Sequence, residues 1–131
     1  MVLVDSSVWI DFFHGRATPQ VDELERLLER GEGVCTCGIV LTEVLQGIRN
    51  DADYRRTLAR FDVFPCLPMD RRVFLKAAGI YRSLRRRGFT IRRSVDCMIA
   101  AVSIEHGIAL LHHDRDFDPM EVHCGLKVVR T

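Results

Sequence analysis

The stretch Val2-Leu3-Val4-Asp5-Ser6-Ser7-Val8-Trp9-Ile10 joins two apolar runs through one acidic and two hydroxyl residues. The first run, with Asp5 at its end, is typical of a short buried strand, and the run from Ser7 predicts a short helix that stops near Gly15. Asp5 therefore lies at the carboxyl end of a strand. In parallel α/β sheets, ligand and catalytic sites gather beyond that end of the strands.

Three further acidic residues lie at or inside apolar segments. They are Glu43 within residues 39–45, Asp96 at the start of residues 95–102, and Asp114 shortly after residues 108–111. A buried carboxylate costs free energy unless a cation or a donor pairs with it, and several converging carboxylates repel one another. A divalent cation such as Mg²⁺ or Mn²⁺, held by oxygen ligands, relieves both penalties. The four acids therefore predict a shared metal site.

Each of these acids also has an ordinary structural explanation when it is considered alone. The alternatives are a helix cap for Asp5, an ion pair with an arginine for Glu43, a stabilised helix start for Asp96, and a turn for Asp114. The spacing of the residues leaves these alternatives open.

Apolar strands alternate with helical patterns along the rest of the chain. Further strands are predicted at 34–37, 63–64, 108–111 and 127–129, and helices at 21–30, 38–47, 52–61, 70–87 and 94–106. This alternation predicts an α/β fold of three layers, with a mostly parallel central sheet flanked by helices. At 131 residues and 47% hydrophobic content, residues 1–131 are expected to form one domain with its own core.

Composition limits the class of protein. The formal charge is only +1, so contacts with nucleic acid would have to come from local basic patches. No apolar stretch approaches the ~18 residues of a membrane span. The first residues do not resemble a secretory signal, and five cysteines are too few and odd in number for a disulfide scaffold. These features predict a cytoplasmic protein.

Motifs for other chemistries are incomplete. A calcium loop beginning at Asp114 would need Gly and Glu at its sixth and twelfth positions, where this chain has Pro119 and Gly125. No glycine-rich phosphate loop or nucleophile elbow is found. Cys35 and Cys37 do not have the usual spacing of a zinc pair.

An acidic site needs basic surroundings if its substrate is a polyanion. Six arginines surround the turn that precedes the Asp96 helix: Arg82, Arg85, Arg86, Arg87, Arg92 and Arg93. These arginines are candidates for phosphate contacts. The alternative is a solvated helix end, where cations are favourable in any case.

Four motifs, in order along the chain, resemble those of the PIN-domain ribonucleases, specifically the VapC-type toxins of bacterial toxin–antitoxin pairs. The motifs are Val4–Ile10, Thr42–Gly47, Val95–Ala101 and Leu110–Phe117. The resemblance extends over nearly the whole chain and implies a PIN-like fold. It also implies Mg²⁺- or Mn²⁺-dependent hydrolysis of RNA phosphodiester bonds.

The resemblance assigns roles to particular residues. It implies that Asp5, Glu43, Asp96 and Asp114 hold the metal, that Asp116 is a further catalytic acid, and that Ser6 or Ser7 orients a carboxylate or a water. Either Glu43 or Asp116 would orient or deprotonate the attacking water. The family usually has Thr where this chain has His112, so the supporting role of that position is altered here.

Partners are also implied by the resemblance. They are an RNA substrate, a VapB-type antitoxin and a second copy of the chain. The antitoxin would lay an amphipathic segment in a groove beside the active site, with Trp9, Phe12 and Phe13 as candidate lining residues. Two other functions remain open at this stage: a housekeeping PIN nuclease that processes RNA without an antitoxin, and a non-catalytic module that binds a regulatory partner.

Overall fold

Four parallel strands form the centre of the computed structural model, which describes residues 1–131. The strands are β1 (Val2–Val4), β2 (Val34–Cys37), β3 (Cys66–Leu67) and β4 (Ala109–Leu111), in the order β3-β2-β1-β4. Seven helices flank the sheet: α1 (Ser6–Phe13), α2 (Pro19–Arg30), α3 (Gly38–Gln46), α4 (Asp51–Phe61), α5 (Arg71–Arg86), α6 (Ser94–Glu105) and α7 (Asp118–Cys124). The predicted α/β class with a parallel central sheet is confirmed.

Local signals explain where the helices begin and end. The Thr18 side chain accepts a hydrogen bond from the Val21 N–H at the start of α2, and Gly31 ends that helix with a φ of 64°. Asp70 caps α5 in the same way, through the Val73 N–H. The end of α2 and the start of α5 agree with the sequence prediction because these signals are short-range, whereas α2 begins two residues earlier than predicted, at Pro19.

Two predicted strands are wrong in detail. The strand expected at Val63–Phe64 forms instead at Cys66–Leu67, since the Phe64 ring packs against Trp9 at 5.6 Å between ring centroids. The segment Lys127–Val129 is not a full strand. It forms a single parallel bridge beside β4, between Leu110 and Val128.

The core lies between the sheet and its helices. Leu3 and Leu110 in adjacent strands are fully buried, and so is α6 from Ile99 to Val102. The apolar circumference of α6 predicted this central position. None of the helices is both long enough and apolar enough to cross a membrane.

The strand order brings two predicted acids together. From β1 the chain moves to β2 and β3 on one side, and β4 then pairs with the other side of β1. The carboxyl ends of β1 and β4 therefore lie where the strand order reverses, which is the usual position of a binding or catalytic site in such sheets. Asp5 follows β1 and Asp114 follows β4 at this edge.

Candidate functional site

Three carboxylates converge beyond the carboxyl ends of β1 and β4. One oxygen each from Asp96, Asp114 and Asp116 lies within 4.8 Å of the other two. Asp96 is buried in the first turn of α6, while Asp114 and Asp116 belong to the turn after β4. The Asp116 N–H donates to Asp114 Oδ1 at 2.9 Å, which fixes the turn. These oxygens could share one hard cation at ligand distances.

Asp5 borders this cluster and is 2% exposed. Its Oδ2 accepts hydrogen bonds from Ser7 Oγ at 2.6 Å and from the Ser7 N–H at 3.0 Å, whereas its buried Oδ1 has no partner. Burial raises the pKa of Asp5 to about 6 despite the hydrogen bonds from Ser7, and the charges of Asp96 and Glu43 add to the rise. A buried carboxylate oxygen without a donor fits a metal ligand.

Glu43 joins the cluster through its neighbours. Ser6 Oγ donates to Glu43 Oε1 at 3.0 Å, and Arg93 Nη1 lies 3.2 Å from Oε2. Arg93 Nη2 also donates to Asp96 Oδ1 at 2.8 Å, so this arginine bridges the two acids. Asp5 and Glu43 are thus next to the three converging carboxylates, but they do not belong to the group within mutual ligand distance.

The six arginines singled out in the sequence fall into two sets. Arg93 bridges Glu43 and Asp96, and Arg92 donates to Asp116 Oδ2 from both Nε (3.0 Å) and Nη2 (2.6 Å). These two arginines therefore neutralise the site acids. The other four, Arg82, Arg85, Arg86 and Arg87, form no salt bridge, and three of them line a separate cleft of about 500 Å³ with Gly79 and Ser83.

His112 occupies the position where the resemblance anticipates Thr. Its Nδ1 accepts a hydrogen bond from the Asp114 N–H at 3.1 Å, and its ring packs against Phe117. Burial lowers the pKa of His112, which favours the neutral ring that this acceptor role needs. His112 therefore supports the backbone of the turn that carries Asp114.

One group beside the site was missed by the sequence reasoning. Asp11 is buried in α1 and accepts hydrogen bonds from Arg16 Nη1 and His113 Nδ1, each at 3.0 Å. An acidic residue between Ile10 and Phe12, in an otherwise apolar helix, was the available signal. Its partners could not be inferred, because His113 lies 102 positions away.

Comparison with known proteins gives a family match over most of the chain. The model of the PIN domain matches residues 2–122. Ribonuclease VapC11 of Mycobacterium tuberculosis is 37% identical over 120 residues, covering 90% of each chain, and Ribonuclease VapC51 of the same species is 34% identical over 95 residues, covering 72% of this chain and 69% of that one.

Solved structures share the fold at lower identity. VapBC2 from Rickettsia felis, bound to a DNA fragment from its promoter, superimposes with a TM-score of 0.75 at 15% identity over 98% of both chains. VapC20 of Mycobacterium tuberculosis, described as a sarcin–ricin loop cleaving toxin, superimposes with a TM-score of 0.67 at 20% identity over 100% of both chains.

Proposed function

The chain belongs to the PIN-domain family, and from that premise we propose that it is a divalent-metal-dependent endoribonuclease and the toxin of a toxin–antitoxin pair. The observation that carries the proposal is the convergence of Asp96, Asp114 and Asp116 within 4.8 Å, beside the unpartnered oxygen of Asp5. The curated relatives that match over 90% of their length are named as ribonucleases.

We assign the metal-holding role to Asp96, Asp114 and Asp116, with Asp5 Oδ1 as a further ligand oxygen. Carboxylate oxygens suit Mg²⁺ or Mn²⁺ better than softer metals. When bound, such an ion activates water for attack and neutralises charge that develops on the phosphoryl group. Glu43 sits at the edge of this set, where Ser6 and Arg93 hold its two oxygens.

The role of orienting the attacking water falls to Asp116 rather than Glu43. Both oxygens of Glu43 are engaged, by Ser6 and by Arg93. Asp116 receives both Arg92 donors on Oδ2, which leaves Oδ1 free of hydrogen bonds. Asp116 is also partly exposed, with 27% of its side chain accessible, so an attacking water can reach it.

A direct test of the toxin function is brief induction of the chain in a bacterial host, followed by mapping of the new RNA ends. We expect growth arrest and cleavage at a small set of sites, with 5′-phosphate and 3′-hydroxyl ends. Co-expression of the cognate antitoxin is expected to restore growth. Arrest without new RNA ends would contradict the nuclease function, and cleavage without any arrest would favour a housekeeping nuclease.

The antitoxin is proposed to bind an apolar groove of about 620 Å³ between α1, α2 and the segment after α4. Trp9, Leu28, Val63 and Phe64 are among its lining residues, whereas Phe12 and Phe13 do not line it. The buried indole N–H of Trp9 has no acceptor within the chain. Val63 is 76% exposed, so Val63→Glu should leave the fold unchanged. The same substitution should prevent the antitoxin from restoring growth.

The RNA strand is proposed to run from the acidic cluster to the arginine cleft on α5. Gly79, Arg82, Ser83 and Arg86 share one face of that helix, at the spacing i, i+3, i+4 and i+7. Gly79 leaves open space where a side chain would begin, between cations that have no acidic partner. The connection to α6 leads from this cleft to Arg92, Asp96 and Asp116.

Removal of two of these cations should reduce the salt dependence of RNA binding. Each phosphate contact contributes about 0.7 to the slope of log K against log salt for a single strand. We therefore expect Arg82→Ala combined with Arg86→Ala to reduce the slope by about 1.4, measured by fluorescence anisotropy with a catalytically inactive background.

The matched control replaces two exposed arginines that also lack acidic partners, Arg55 on α4 and Arg71 at the start of α5. The double alanine variant of these residues makes the same change in net charge. An equal change in slope for both double variants would show a general charge effect and would contradict the proposed strand path.

A further inference from the structure

A buried carboxylate on α1 orients two exposed side chains, one of which belongs to the turn after β4. Asp11 is 8% exposed and accepts from Arg16 Nη1 and His113 Nδ1, although the side chains of these donors are 62% and 50% exposed. Both hydrogen bonds lower the pKa of Asp11, the one from His113 more strongly. An ionised carboxylate can only accept, so the His113 proton facing Asp11 is on Nδ1.

The His113 ring is also fixed relative to the site. Its backbone N–H donates to Ser7 Oγ at 3.1 Å, and Ser7 Oγ donates to Asp5 Oδ2 at 2.6 Å. His113 and Asp114 are neighbours and line one cleft of about 460 Å³ with Gln20 and Arg115. Nε2 of His113 has no partner in the chain, so the ring presents a single free nitrogen at the cleft that Asp114 also lines.

The chemistry of that nitrogen selects its ligand. Because the ring proton is on Nδ1 and faces Asp11, Nε2 is the acceptor nitrogen, so the partner of Nε2 must be able to donate a hydrogen bond. A phosphate oxygen can only accept, whereas a hydroxyl can do both. In an RNA strand the ribose 2′-hydroxyl has this property at every nucleotide and also distinguishes RNA from DNA.

We propose that His113 is a positioning residue that binds the ribose 2′-hydroxyl of a nucleotide close to the scissile phosphate, with its ring aimed by Asp11. This role rests on the RNA-cleaving function proposed above. A purely structural tie between α1 and the turn after β4 needs only the Nδ1 hydrogen bond. The 2′-hydroxyl contact needs Nε2 as well, and the two roles can therefore be separated by mutation.

The separating variant is His113→Asn. Its amide nitrogen takes the place of Nδ1 and can still donate to Asp11, but it has no atom at the position of Nε2. We expect His113→Asn and His113→Ala each to lower kcat/KM by about tenfold on an all-ribose oligonucleotide, the typical effect of one lost hydrogen bond. The melting temperature of His113→Asn should match that of the unaltered protein.

A series of substrates with one 2′-deoxy position each completes the experiment. When the deoxy position is the contacted nucleotide, the unaltered protein and both variants should cleave the substrate at equal rates. The substrate then lacks the 2′-hydroxyl, so the unaltered protein cannot form the hydrogen bond that the variants have lost. His14→Ala is the matched control, because His14 is an exposed histidine at the end of α1 without a side-chain hydrogen bond.

Two results would overturn the proposal. One is the same loss for His113→Ala on the all-ribose substrate and on every deoxy substrate. The other is cleavage by His113→Asn at the unaltered rate, which would leave only the structural tie. Failure of the unaltered protein to cleave any RNA with Mg²⁺ or Mn²⁺ is a different outcome, and it would overturn the proposed nuclease function together with this role.

Discussion

Asp96→Asn is expected to lower the rate of RNA cleavage by more than about a thousandfold, because loss of a carboxylate that we propose to hold the metal removes several kcal/mol of transition-state stabilisation. Asp96 contributes one of the three oxygens that lie within 4.8 Å of one another. Its neutral amide replacement is a weaker ligand and also loses the ion pair with Arg93. Asp5→Asn should have a similar effect on cleavage.

The fold should tolerate Asp96→Asn. Asparagine has nearly the same shape as aspartate, and Arg93 remains half exposed to water and paired with Glu43. The measurement is the single-turnover cleavage rate, with circular dichroism as the test of folding. Asp62→Asn, an exposed position at the end of α4, is the matched control and should cleave at the unaltered rate. Unaltered rates for Asp96→Asn and Asp5→Asn together would refute the assignment of the site.

The positions of the acids could be predicted because their signals are local. Asp5 follows an apolar strand, and Asp96 opens an apolar helix, so burial of each carboxylate could be inferred from its immediate neighbours. The parallel order of the strands then brings Asp5 and Asp114 to one edge of the sheet. Only the convergence itself required the tertiary structure.

The partners of the charged groups could not be predicted, because they depend on tertiary contacts. Arg93 was expected to contact phosphate, and in the structure it bridges Glu43 and Asp96. Phe64 was expected in a strand, but it packs on Trp9 instead. Glu43 lies 50 positions from Arg93 and Trp9 lies 55 positions from Phe64, so neither contact could be inferred from neighbouring residues.

Two arginines already relieve part of the repulsion among the site carboxylates. Arg92 and Arg93 already compensate Asp116, Asp96 and Glu43. Asp5 is different, since it has no cationic partner and one of its oxygens has no donor at all. The unrelieved electrostatic cost of the site is therefore concentrated on Asp5, and that residue is where a metal would have its largest effect on stability.

Asp5→Asn is accordingly expected to stabilise the metal-free protein while it abolishes cleavage. The folded-state pKa of about 6, against 3.8 for the unperturbed group, means that the folded protein binds more protons than the unfolded chain between these values. Ionisation of Asp5 therefore destabilises the folded protein. This penalty begins near pH 4, grows as the pH rises to 6, and reaches about 3 kcal/mol above pH 6. Asparagine resembles the protonated carboxyl and never acquires this penalty, so its advantage should follow the same pH window.

Chemical denaturation in a chelating buffer, at pH 4 and at pH 7.5, measures this difference. We expect nearly equal stability at pH 4 and an advantage of up to about 3 kcal/mol for Asp5→Asn at pH 7.5. Asp11→Asn is the contrasting control: hydrogen bonds lower the pKa of Asp11, so its ionised form stabilises the fold and its loss should destabilise the protein at pH 7.5.

Addition of Mg²⁺ or Mn²⁺ should then remove most of this difference in stability. An ion that binds only the folded protein stabilises it by about 2.7 kcal/mol at a hundred times its Kd. The unaltered protein should gain this stability at pH 7.5, and Asp5→Asn should gain much less because a proposed ligand oxygen has been replaced. Equal gains for both proteins, or a metal-free Asp5→Asn protein that is less stable than the unaltered one at pH 7.5, would show that Asp5 is a structural cap and not part of a metal site.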